Sequence, residues 1–333
     1  MRWRVRSNCW KNSTGYGFEA HGKIFSMNCS VVIPVYRGEH TLEPLVTRLA
    51  DILPACTEEF EVLLVNDGSP DHSWDVIEAL TKQYSWVRGI KLMRNYGQEN
   101  ATLCGIREAR CDVIVTMDDD LQHNPADLPK LISKLNEGYD VVYGVPRVRS
   151  QVWWKSILSK IVKWAISSVM GVGTIRDISA YKAFRAELKQ AFSSINSPDV
   201  QIDVLLSWAA TRFASVEIEE APRTVGTSNY NFVKLIKVSL LVLTNYTTIP
   251  LRLASIAGFL FTIIGFFVLL YVIAIYFTLG SIPGFTFLIS AVSIFSGVQL
   301  FALGIIGEYL ARLFERSSGR PPYVIQETTG GNS

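Results

Sequence analysis

Three consecutive carboxylates, Asp118, Asp119 and Asp120, directly follow the apolar stretch 112–117 (DVIVTM), which is predicted to be a β-strand. Neighbouring carboxylates repel one another unless a cation lies between them. Oxygen ligands of this kind suit Mg²⁺ or Mn²⁺, and either ion can bridge to a substrate diphosphate. A solvent-exposed acidic turn is the alternative. The position after a buried strand favours a ligand site, because ligands bind beyond the carboxyl ends of strands in open α/β sheets.

A further carboxylate, Asp67, follows another predicted strand in the sequence VNDGSPD. Gly68 and Ser69 suit a tight turn at this position. The Asp67 carboxylate is therefore placed to accept hydrogen bonds from a base or a ribose at the edge of the sheet. The spacing fits a residue that only stabilises the turn equally well, so both interpretations stay open.

The elements that must position these residues alternate along the chain. Runs of Val, Ile and Leu predict strands that are buried on both faces, as in a parallel sheet between helices. The predicted strands are 30–35, 60–66, 89–93, 112–117, 140–143 and 215–218. The predicted helices are 42–53, 73–84, 98–107 and 126–136. This alternation predicts an open α/β sheet with a ligand site at the carboxyl ends of its strands.

The C-terminal part has a different composition, because residues 253–307 contain no charged side chain. One bilayer crossing needs about 20 apolar residues, so this stretch is long enough for two. We predict a membrane region over 250–311, with spans at 250–277 and 285–310 and a turn between them. A hairpin that is buried in a soluble protein is the alternative.

Basic residues flank the two predicted spans, whereas the turn between them has none. They are Lys234, Lys237 and Arg252 before the first span, and Arg312, Arg316 and Arg320 after the second. Basic residues stay on the cytoplasmic side of a membrane. We therefore expect a multi-pass protein of the inner or plasma membrane, whose catalytic domain, termini and tail (312–333) are cytoplasmic.

Two further segments combine aromatic, aliphatic and basic residues, as interfacial amphipathic helices do. One lies near 153–170, and the other is a juxtamembrane segment, 229–249. Ordinary helices that face a protein core are the alternative. Residues 1–26 lack the apolar run of a secretory signal, so we expect a disordered extension or a misassigned start. The predicted catalytic domain is 27–228.

The net charge and the cysteine content exclude several kinds of partner and site. A net charge of +2 without a continuous basic tract argues against a nucleic-acid partner. The basic residues lie beside apolar segments instead, which indicates a membrane surface. The five cysteines show no CxxC spacing. We therefore expect free thiols in a reducing compartment and neither a disulfide framework nor a zinc site.

Several motifs occur in a specific order within residues 27–320. They are VVIPVY (31–36), LLVNDGSPD (63–71), RNYGQ (94–98) and MDDDLQHNP (117–125). With the two C-terminal spans, they resemble glycosyltransferase family 2, and more narrowly its polyprenyl-phosphate glycosyltransferases. The resemblance implies an α/β GT-A fold and a Mg²⁺ or Mn²⁺ cofactor. It also implies inverting transfer of a sugar from a nucleotide-sugar donor to a polyprenyl-phosphate lipid acceptor.

The same resemblance implies a nucleotide-sugar site. The nucleoside pocket would contain Pro34, Tyr36, Glu39 and Asp67, and Arg94, Asn95 and Gly97 would lie near the ribose and phosphates. The metal ligands would be Asp118, Asp120 and Gln122, which match a DxDxQ pattern. Asp118 and Asp119 would contact the nucleotide-sugar, with Asp119 taking part in catalysis. The match at Glu39 is partial, because Arg37 and Gly38 precede it where the family often has Asn-Glu-Glu.

Further residues are implied for the acceptor and for catalysis. Those that would contact the acceptor phosphate are Arg147, Arg149, Lys155 and Ser159. Lys155 stands where the family has Arg, which keeps the charge but loses the bidentate fork. Asp177 matches the residue usually proposed as the base; since a phosphate monoester has a second pKa near ~6, we expect Asp177 mainly to orient a substrate. Arg223 and Ser228 lie in a segment that resembles a lid over the diphosphate.

The expected activity is transfer of a hexose to undecaprenyl or dolichyl phosphate for cell-envelope or glycan assembly. UDP-glucose is the favoured donor, while UDP-galactose, a UDP-N-acetylhexosamine and GDP-mannose stay open. A processive polysaccharide synthase is the alternative enzyme, but its usual QxxRW motif does not occur. A non-catalytic membrane adaptor predicts damaged metal carboxylates, which are intact here. The resemblance also allows a homo-oligomer.

Overall fold

The computed structural model describes residues 27–146, 178–193, 195–198, 200–219, 248–279 and 284–331. These residues form a mixed α/β domain followed by two long apolar helices. The predicted extension 1–26 lies outside the described residues, as do the predicted interfacial segment 153–170 and all but the last two residues of 229–249.

The described part of the chain contains a single eight-stranded sheet with the order β7-β5-β6-β4-β1-β2-β3-β8. The strands are β1 Cys29–Val35, β2 Phe60–Asn66, β3 Val87–Leu92, β4 Val113–Thr116, β5 Val141–Pro146, β6 Lys182–Arg185, β7 Phe213–Ile218 and β8 Ile325–Thr329. β4, β1, β2 and β3 are parallel neighbours, and β5 is parallel to β7. β6 is antiparallel to β4 and β5, and β8 is antiparallel to β3. The predicted mostly parallel α/β sheet is confirmed.

Helices cover both faces of the sheet. They are α1 Leu42–Cys56, α2 Ser73–Gln83, α3 Gln98–Glu108, α4 Leu128–Asn136, α5 Gln190–Ser193 and α6 Ile202–Ala209, with short 3-10 helices at Pro125–Asp127 and Ala186–Lys189. Buried side chains of α1, α2 and α4 pack on one face. Those of α3, α5 and α6 pack on the other face. The sheet is therefore the middle of three layers.

The strands are apolar throughout because both of their faces are covered. Successive side chains of a strand point to opposite faces, so Val31 and Ile33 contact one helical layer and Val32 contacts the other. Burying such a side chain contributes about 1.5–3 kcal/mol. Helix α3 lies especially close to β1, since a Cβ at Gly105 would overlap the side chain of Val32. This packing determines where the carboxyl ends of β1, β2 and β4 meet the start of α3.

Two strands, β6 and β8, add to those expected from the sequence. β6 is only four residues long and includes Lys182 and Arg185. β8 has the sequence IQETT. Neither contains an apolar run. Main-chain pairing with neighbouring strands holds each one in the sheet. β8 thereby brings part of the predicted tail, 312–333, into the α/β domain, where Tyr323 and Ile325 pack against the core.

The two long helices are α7 Ile249–Leu279 and α8 Phe285–Ser317. Within the segments Ile249–Ile275 and Ile294–Ser317, stretches of 18 residues have mean hydropathies of 2.7 and 1.6 and are 0% buried. By length and composition, both segments can cross a bilayer. The rings of Phe261 and Phe295 are 6.1 Å apart, which packs the helices together as a hairpin. Because their large side chains are exposed, the hairpin is not a core element of the described α/β domain.

Candidate functional site

A cleft of about 380 Å³ opens at the carboxyl ends of β1, β2 and β4. Its lining residues are Pro34, Val35, Tyr36, Asp67, Asn95, Gly97, Gln98, Asp118, Asp119 and Asp120. The volume falls within the range of roughly 300–1,000 Å³ that is usual for small-molecule sites. Parallel strands end at one edge of a sheet, so residues far apart in sequence meet there.

Asp67 organises the loop between β3 and α3. Its Oδ1 accepts a hydrogen bond from the backbone N–H of Tyr96 at 2.7 Å, and its Oδ2 accepts one from Gly97 at 2.9 Å. The side chain is buried, and this burial raises the pKa of Asp67 above its usual value while the two N–H groups oppose the rise. Gly97 adopts a φ of 94°, which favours glycine. Both carboxylate oxygens are thus engaged in shaping the wall of the cleft.

The acidic triplet follows β4 and is held by three different contacts. Asp118 Oδ1 accepts a hydrogen bond of 2.6 Å from Nε2 of Gln98. Asp119 Oδ2 accepts one of 3.4 Å from the backbone N–H of Tyr36. Asp120 Oδ1 accepts one of 3.1 Å from the backbone N–H of Gln122. The three carboxylates therefore face one cleft but are tied to the start of α3, to the end of β1 and to their own turn.

Backbone strain accompanies the cleft. Arg37 and Leu121 both have a φ of 61°, and they are the non-glycine residues with positive φ in the described part of the chain. Arg37 follows Tyr36 at the end of β1, and Leu121 follows the acidic triplet. Such a conformation costs about 1–3 kcal/mol and persists only where the surrounding structure imposes it. Both strained positions adjoin residues that line the cleft.

The central carboxylate of the triplet has an altered acidity. Burial raises the pKa of Asp119 to about 7, the charges of Asp118 and Asp120 add to the rise, and the N–H of Tyr36 opposes it. Three carboxylates at one strand end carry an electrostatic cost that a positive charge would relieve. The site is therefore suited to a cationic group, or to a metal ion with its anionic ligand.

Comparison with known proteins supports a chemical interpretation of this geometry. Residues 30–191 match the sequence profile of glycosyl transferase family 2. The chain is 34% identical over 309 residues to an undecaprenyl-phosphate 4-deoxy-4-formamido-L-arabinose transferase of Proteus mirabilis (strain HI4320), covering 90% of this chain and 94% of the relative. The chain belongs to glycosyl transferase family 2. A transferase of the same description from Serratia proteamaculans (strain 568) is 33% identical over 305 residues, again covering 90% and 94%.

Among solved structures, the glucosyl-3-phosphoglycerate synthase of Mycobacterium tuberculosis in complex with Mn²⁺ and UDP-glucose is similar to the chain. The TM-score is 0.46 with 20% sequence identity, over 66% of this chain and 77% of that chain. The family membership and the mostly parallel sheet with its cleft at the strand ends confirm the α/β GT-A fold expected from the sequence. The chain is a glycosyltransferase, as the sequence predicted.

The glycosyltransferase cleft gathers many of the residues that the sequence singled out. Pro34, Tyr36, Asp67, Asn95, Gly97 and the three triplet carboxylates all line it. Tyr36 is 45% exposed, and the guanidinium of Arg37 lies 5.5 Å from the centre of its ring. An exposed aromatic ring at the mouth of a polar cleft provides a flat apolar surface beside the charged residues.

Three residues predicted for the site are not among those that line this cleft. Glu39 Oε2 accepts a hydrogen bond of 3.1 Å from the backbone N–H of His72, just before α2. Arg94 lines a neighbouring cavity and places its guanidinium 4.7 Å from the ring centre of Tyr96. Gln122 does not line the cleft and contacts Asp120 through its backbone. The side chains of Glu39 and Arg94 contact His72 and Tyr96, and spacing along the chain does not reveal these partners.

The remaining predicted site residues lie outside the described part of the chain. They are Arg147, Arg149, Lys155, Ser159, Asp177, Arg223 and Ser228. They follow β5, precede β6 or follow β7 in the sequence.

The protein residues at the triplet fit a shared metal site more than a complete one. In the described residues, no three His, Cys, Asp or Glu side chains are grouped so that they alone could hold a metal ion. Mg²⁺ is commonly bound by one or two carboxylates together with substrate phosphates and waters. Asp118 and Asp120, which line the cleft, supply carboxylates of this kind. A diphosphate would complete the ligand set.

Gln98 is a cleft residue to which the sequence assigned no role. It is the last residue of the RNYGQ motif and the first residue of α3. Its 2.6 Å hydrogen bond to Asp118 connects the β3–α3 loop to the acidic triplet. The position of Gln98 in the RNYGQ motif was the one indication of a role in the sequence. Its partner, Asp118, becomes evident only when the folded chain brings the β3–α3 loop to the end of β4.

Proposed function

We propose that this glycosyltransferase moves a sugar from a nucleotide-sugar to a polyprenyl phosphate at a membrane surface. The observation that carries the proposal is the similarity over 94% of the length of the Proteus transferase, whose description names undecaprenyl phosphate. The exposed apolar hairpin supports the lipid acceptor, because large exposed apolar surfaces mark contact with a membrane or a partner. The cleft supports the nucleotide donor, because its acidic wall suits a metal-bound diphosphate.

In this proposal the donor occupies the cleft at the strand ends. Tyr36 and Pro34 lie beside the nucleoside, and Asn95 and Gly97 lie near its ribose and phosphates. Asp118 and Asp120 would hold Mg²⁺ or Mn²⁺, and Gln98 orients Asp118 through the 2.6 Å hydrogen bond. A bound divalent cation would supply positive charge for the diphosphate that leaves. Asp119, between these two carboxylates, faces the donor sugar.

The transfer itself forms one bond and breaks one. An oxygen of the acceptor phosphate attacks the anomeric carbon while the bond from that carbon to the diphosphate oxygen breaks, which inverts the configuration. The phosphate monoester has a second pKa near ~6 and is largely ionised at neutral pH. It therefore needs little assistance from a base, and Asp177 is proposed to orient the donor or the acceptor.

The acceptor side of the proposal rests on the resemblance at residues 147–228. Arg147, Arg149, Lys155 and Ser159 are proposed to bind the lipid phosphate, and Arg223 and Ser228 are proposed to close over the donor diphosphate. In this proposal the two apolar helices hold the active site beside a bilayer. An inner or plasma membrane location with a cytoplasmic catalytic domain, and assembly into a homo-oligomer, remain parts of the proposal.

The donor sugar expected from the sequence, a hexose from UDP-glucose, has no support among the relatives. Their descriptions name 4-deoxy-4-formamido-L-arabinose, which is a derivative of a pentose. We therefore propose a modified pentose as the first donor sugar to be tested, with glucose after it. The set of UDP- and GDP-linked donors described next also tests the identity of the nucleotide.

The test is transfer by the purified full-length chain in detergent. UDP- and GDP-linked sugars, including UDP-4-deoxy-4-formamido-L-arabinose and UDP-glucose, would be incubated with undecaprenyl phosphate and Mn²⁺. We expect a polyprenyl-phosphate sugar by mass spectrometry, loss of product with EDTA, and loss of product in Asp118→Asn and Asp120→Asn. Asp51→Asn, on the exposed side of α1, is the control.

Other products would contradict the proposal. A growing polysaccharide would indicate a processive synthase. The absence of both lipid-linked product and nucleotide-sugar hydrolysis with every donor would favour a non-catalytic membrane adaptor.

A further inference from the structure

A group of charged and polar side chains lies behind the wall of the donor cleft, with Tyr143 and Lys182 buried and Glu99 and Asp203 half-buried. We call Glu99, Tyr143, Lys182 and Asp203 the buried charge cluster. The ammonium of Lys182 forms an ion pair with Oδ1 of Asp203, and the Tyr143 hydroxyl donates to the same oxygen at 3.0 Å. Glu99 Oε2 accepts a hydrogen bond of 3.1 Å from the backbone N–H of Ile202. None of the four residues lines the cleft.

The cluster adjoins the cleft through the sheet and through α3. In the sheet, Lys182 is paired with Thr116, two residues before Asp118, and also with Tyr143. In α3, Glu99 directly follows Gln98, whose side chain donates to Asp118. The proximity is also electrostatic, because Asp118 is among the charges that raise the pKa of Glu99.

The cluster connects elements whose relative position shapes the cleft. Glu99 lies in the first turn of α3, and Asp203 lies in the first turn of α6. Lys182 and Tyr143 belong to the neighbouring strands β6 and β5. The contacts of the cluster therefore join the start of α3 to α6, and α6 to the sheet.

A cluster of this composition is weak evidence for added stability. Lysine and acidic residues are seldom fully buried, yet Lys182 is 4% exposed. Replacing a buried ion pair with apolar side chains of similar volume is often neutral or stabilising. Burial raises the pKa of Glu99, and the nearby ammonium of Lys182 opposes that rise. Such a group is therefore better explained by the geometry that it imposes than by the stability that it adds.

We propose that the buried charge cluster positions the first turn of α3 for donor binding. When that turn is held, the N–H groups of Tyr96 and Gly97 stay on Asp67, and the Gln98 amide stays on Asp118. Lys182, Asp203 and Glu99 are thus positioning residues that act through the cleft wall and do not touch the donor. The consequence for donor affinity rests on the proposed function, whereas the consequence for the loop does not.

The loop is tested first, by hydrogen–deuterium exchange of the full-length protein in detergent. In the double variant Lys182→Met/Asp203→Leu and in Glu99→Ala, the amides of residues 96–98 should exchange faster than in the wild type, while β1 and β2 stay protected. Glu99→Gln keeps an acceptor for the Ile202 N–H and should retain wild-type exchange. Unchanged exchange at 96–98 in both folded variants would overturn the proposal, whether or not the protein binds a nucleotide.

Binding of UDP and of GDP with Mn²⁺, measured by calorimetry, provides the second readout. Groups that orient metal ligands typically change affinity or activity by about 10-fold to 100-fold, and we expect a loss of this size in the two variants. Glu99→Gln should bind as the wild type does. Equal affinity of the variants and the wild type would overturn the positioning role, whereas a wild type that binds neither nucleotide would contradict the proposed function and leave the exchange result to decide.

Arg88→Met is the matched control. The Arg88 guanidinium forms a 2.8 Å ion pair with Glu61, and both side chains are similarly buried, 12% and 10% exposed. Both residues lie near the starts of their strands, at the end of the sheet opposite the cleft. Loss of this pair should lower the thermal midpoint without changing exchange at residues 96–98 or nucleotide affinity. An equal change at 96–98 in Arg88→Met would reduce the cluster to a general contribution to stability and overturn the proposal.

Discussion

The carboxylate of Asp67 accepts the backbone N–H of Gly97 at 2.9 Å, which ties the end of β2 to the start of α3. The N-cap residue of α3 is Gly97, which has no side chain to cap the helix, and Asp67 from a different strand accepts its N–H instead. The residue expected to contact a nucleoside is therefore also the residue that gives the neighbouring wall its shape. Both roles of Asp67 predicted from the sequence, ligand contact and turn stabilisation, are compatible with this position.

Asp67→Asn should weaken donor binding and destabilise the domain. An amide oxygen can accept one of the two N–H groups, while the amide NH₂ would face the other. Leaving a buried N–H unpaired costs about 1–3 kcal/mol. Calorimetric titration with UDP or GDP and Mn²⁺ would measure the affinity, and denaturant unfolding would measure the stability.

Asp140→Asn is the matched control for that experiment. The Asp140 carboxylate also accepts two backbone N–H groups, from Thr211 at 3.3 Å and Arg212 at 3.0 Å, but it precedes β5 and lies away from the cleft. Its substitution should lower stability without changing nucleotide affinity. Parallel losses of affinity in both variants would contradict a specific role for Asp67 in the donor site.

In the metal-free protein, Asp119 should contribute a loss of stability as the pH rises from about 4 to 7. Burial raises the pKa of Asp119 from 3.8 to about 7, so over this range the folded state holds a proton that the unfolded state has lost. Stability falls with pH wherever the folded state binds more protons. One pKa unit corresponds to about 1.4 kcal/mol, which is an upper limit per unit because Asp119 is only partly buried.

Thermal midpoints between pH 4 and 8 in EDTA would measure this dependence in the wild type and in Asp119→Asn. The amide does not titrate, so the wild type should lose stability relative to the variant as the pH rises to 7. Asp51→Asn, on the surface of α1, should keep the wild-type profile. Identical profiles of the wild type and Asp119→Asn would show that the Asp119 carboxyl does not titrate in this range.

Gly330→Ala should destabilise the α/β domain more than Gly319→Ala does. Both glycines have a positive φ, 75° and 67°, so alanine introduces backbone strain of about 1 kcal/mol or more at either position. A Cβ at Gly330 would lie 2.5 Å from the carbonyl oxygen of Val87, whereas nothing lies within 4 Å of one at Gly319. The comparison isolates the packing of the segment after β8 against the start of β3.

Thermal unfolding of the two variants in detergent provides the measurement. A larger decrease for Gly330→Ala would confirm that the C-terminal segment is part of the catalytic domain in solution. Equal decreases would mean that this segment does not stay on the sheet.

Ile264→Asp should impair membrane insertion. Ile264 lies near the middle of the apolar segment Ile249–Ile275 and is 52% exposed. An aspartate at the centre of a membrane span costs about 2.5–3.5 kcal/mol. Extraction of cell membranes with alkaline carbonate should release more of this variant than of the wild type, and Ile264→Leu should behave as the wild type. Complete release of the wild type would contradict a spanning hairpin.

Much of the sheet follows from local sequence. β1 and β2 have apolar runs because both of their faces are covered by helices, and the predicted bounds agree with the structure within a residue. β6 and β8 escape prediction because a four-residue strand with Lys182 and Arg185, and a polar edge strand, depend on partners from elsewhere in the chain. An apolar pattern in the sequence indicates that a strand is buried, but a strand can pair in a sheet without such a pattern.

Some residues of the candidate site could be placed from the sequence, and others could not. Asp118, Asp119 and Asp120 could be placed at a cleft because they follow a buried strand, and Asp67 for the same reason. Arg94 illustrates what could not be placed: it follows β3 directly, but its guanidinium lies over Tyr96 in a neighbouring cavity. The backbone brings a residue to the edge, and the direction of its side chain depends on packing with other elements.

The sequence by itself determined the parallel sheet, the acidic edge and the apolar C-terminal hairpin, because each depends on residue types within one short segment. Only the tertiary structure decided that Asp67 holds Gly97, that Gln98 holds Asp118, and that Lys182 is buried beside Asp203 behind them. The partners of these contacts come from different parts of the fold. Asp67 and Gly97 are 30 residues apart in the sequence, and Gln98 and Asp118 are 20 residues apart. Hydrogen bonds and ion pairs act over a few ångströms, so they form only after the strand ends have been brought together.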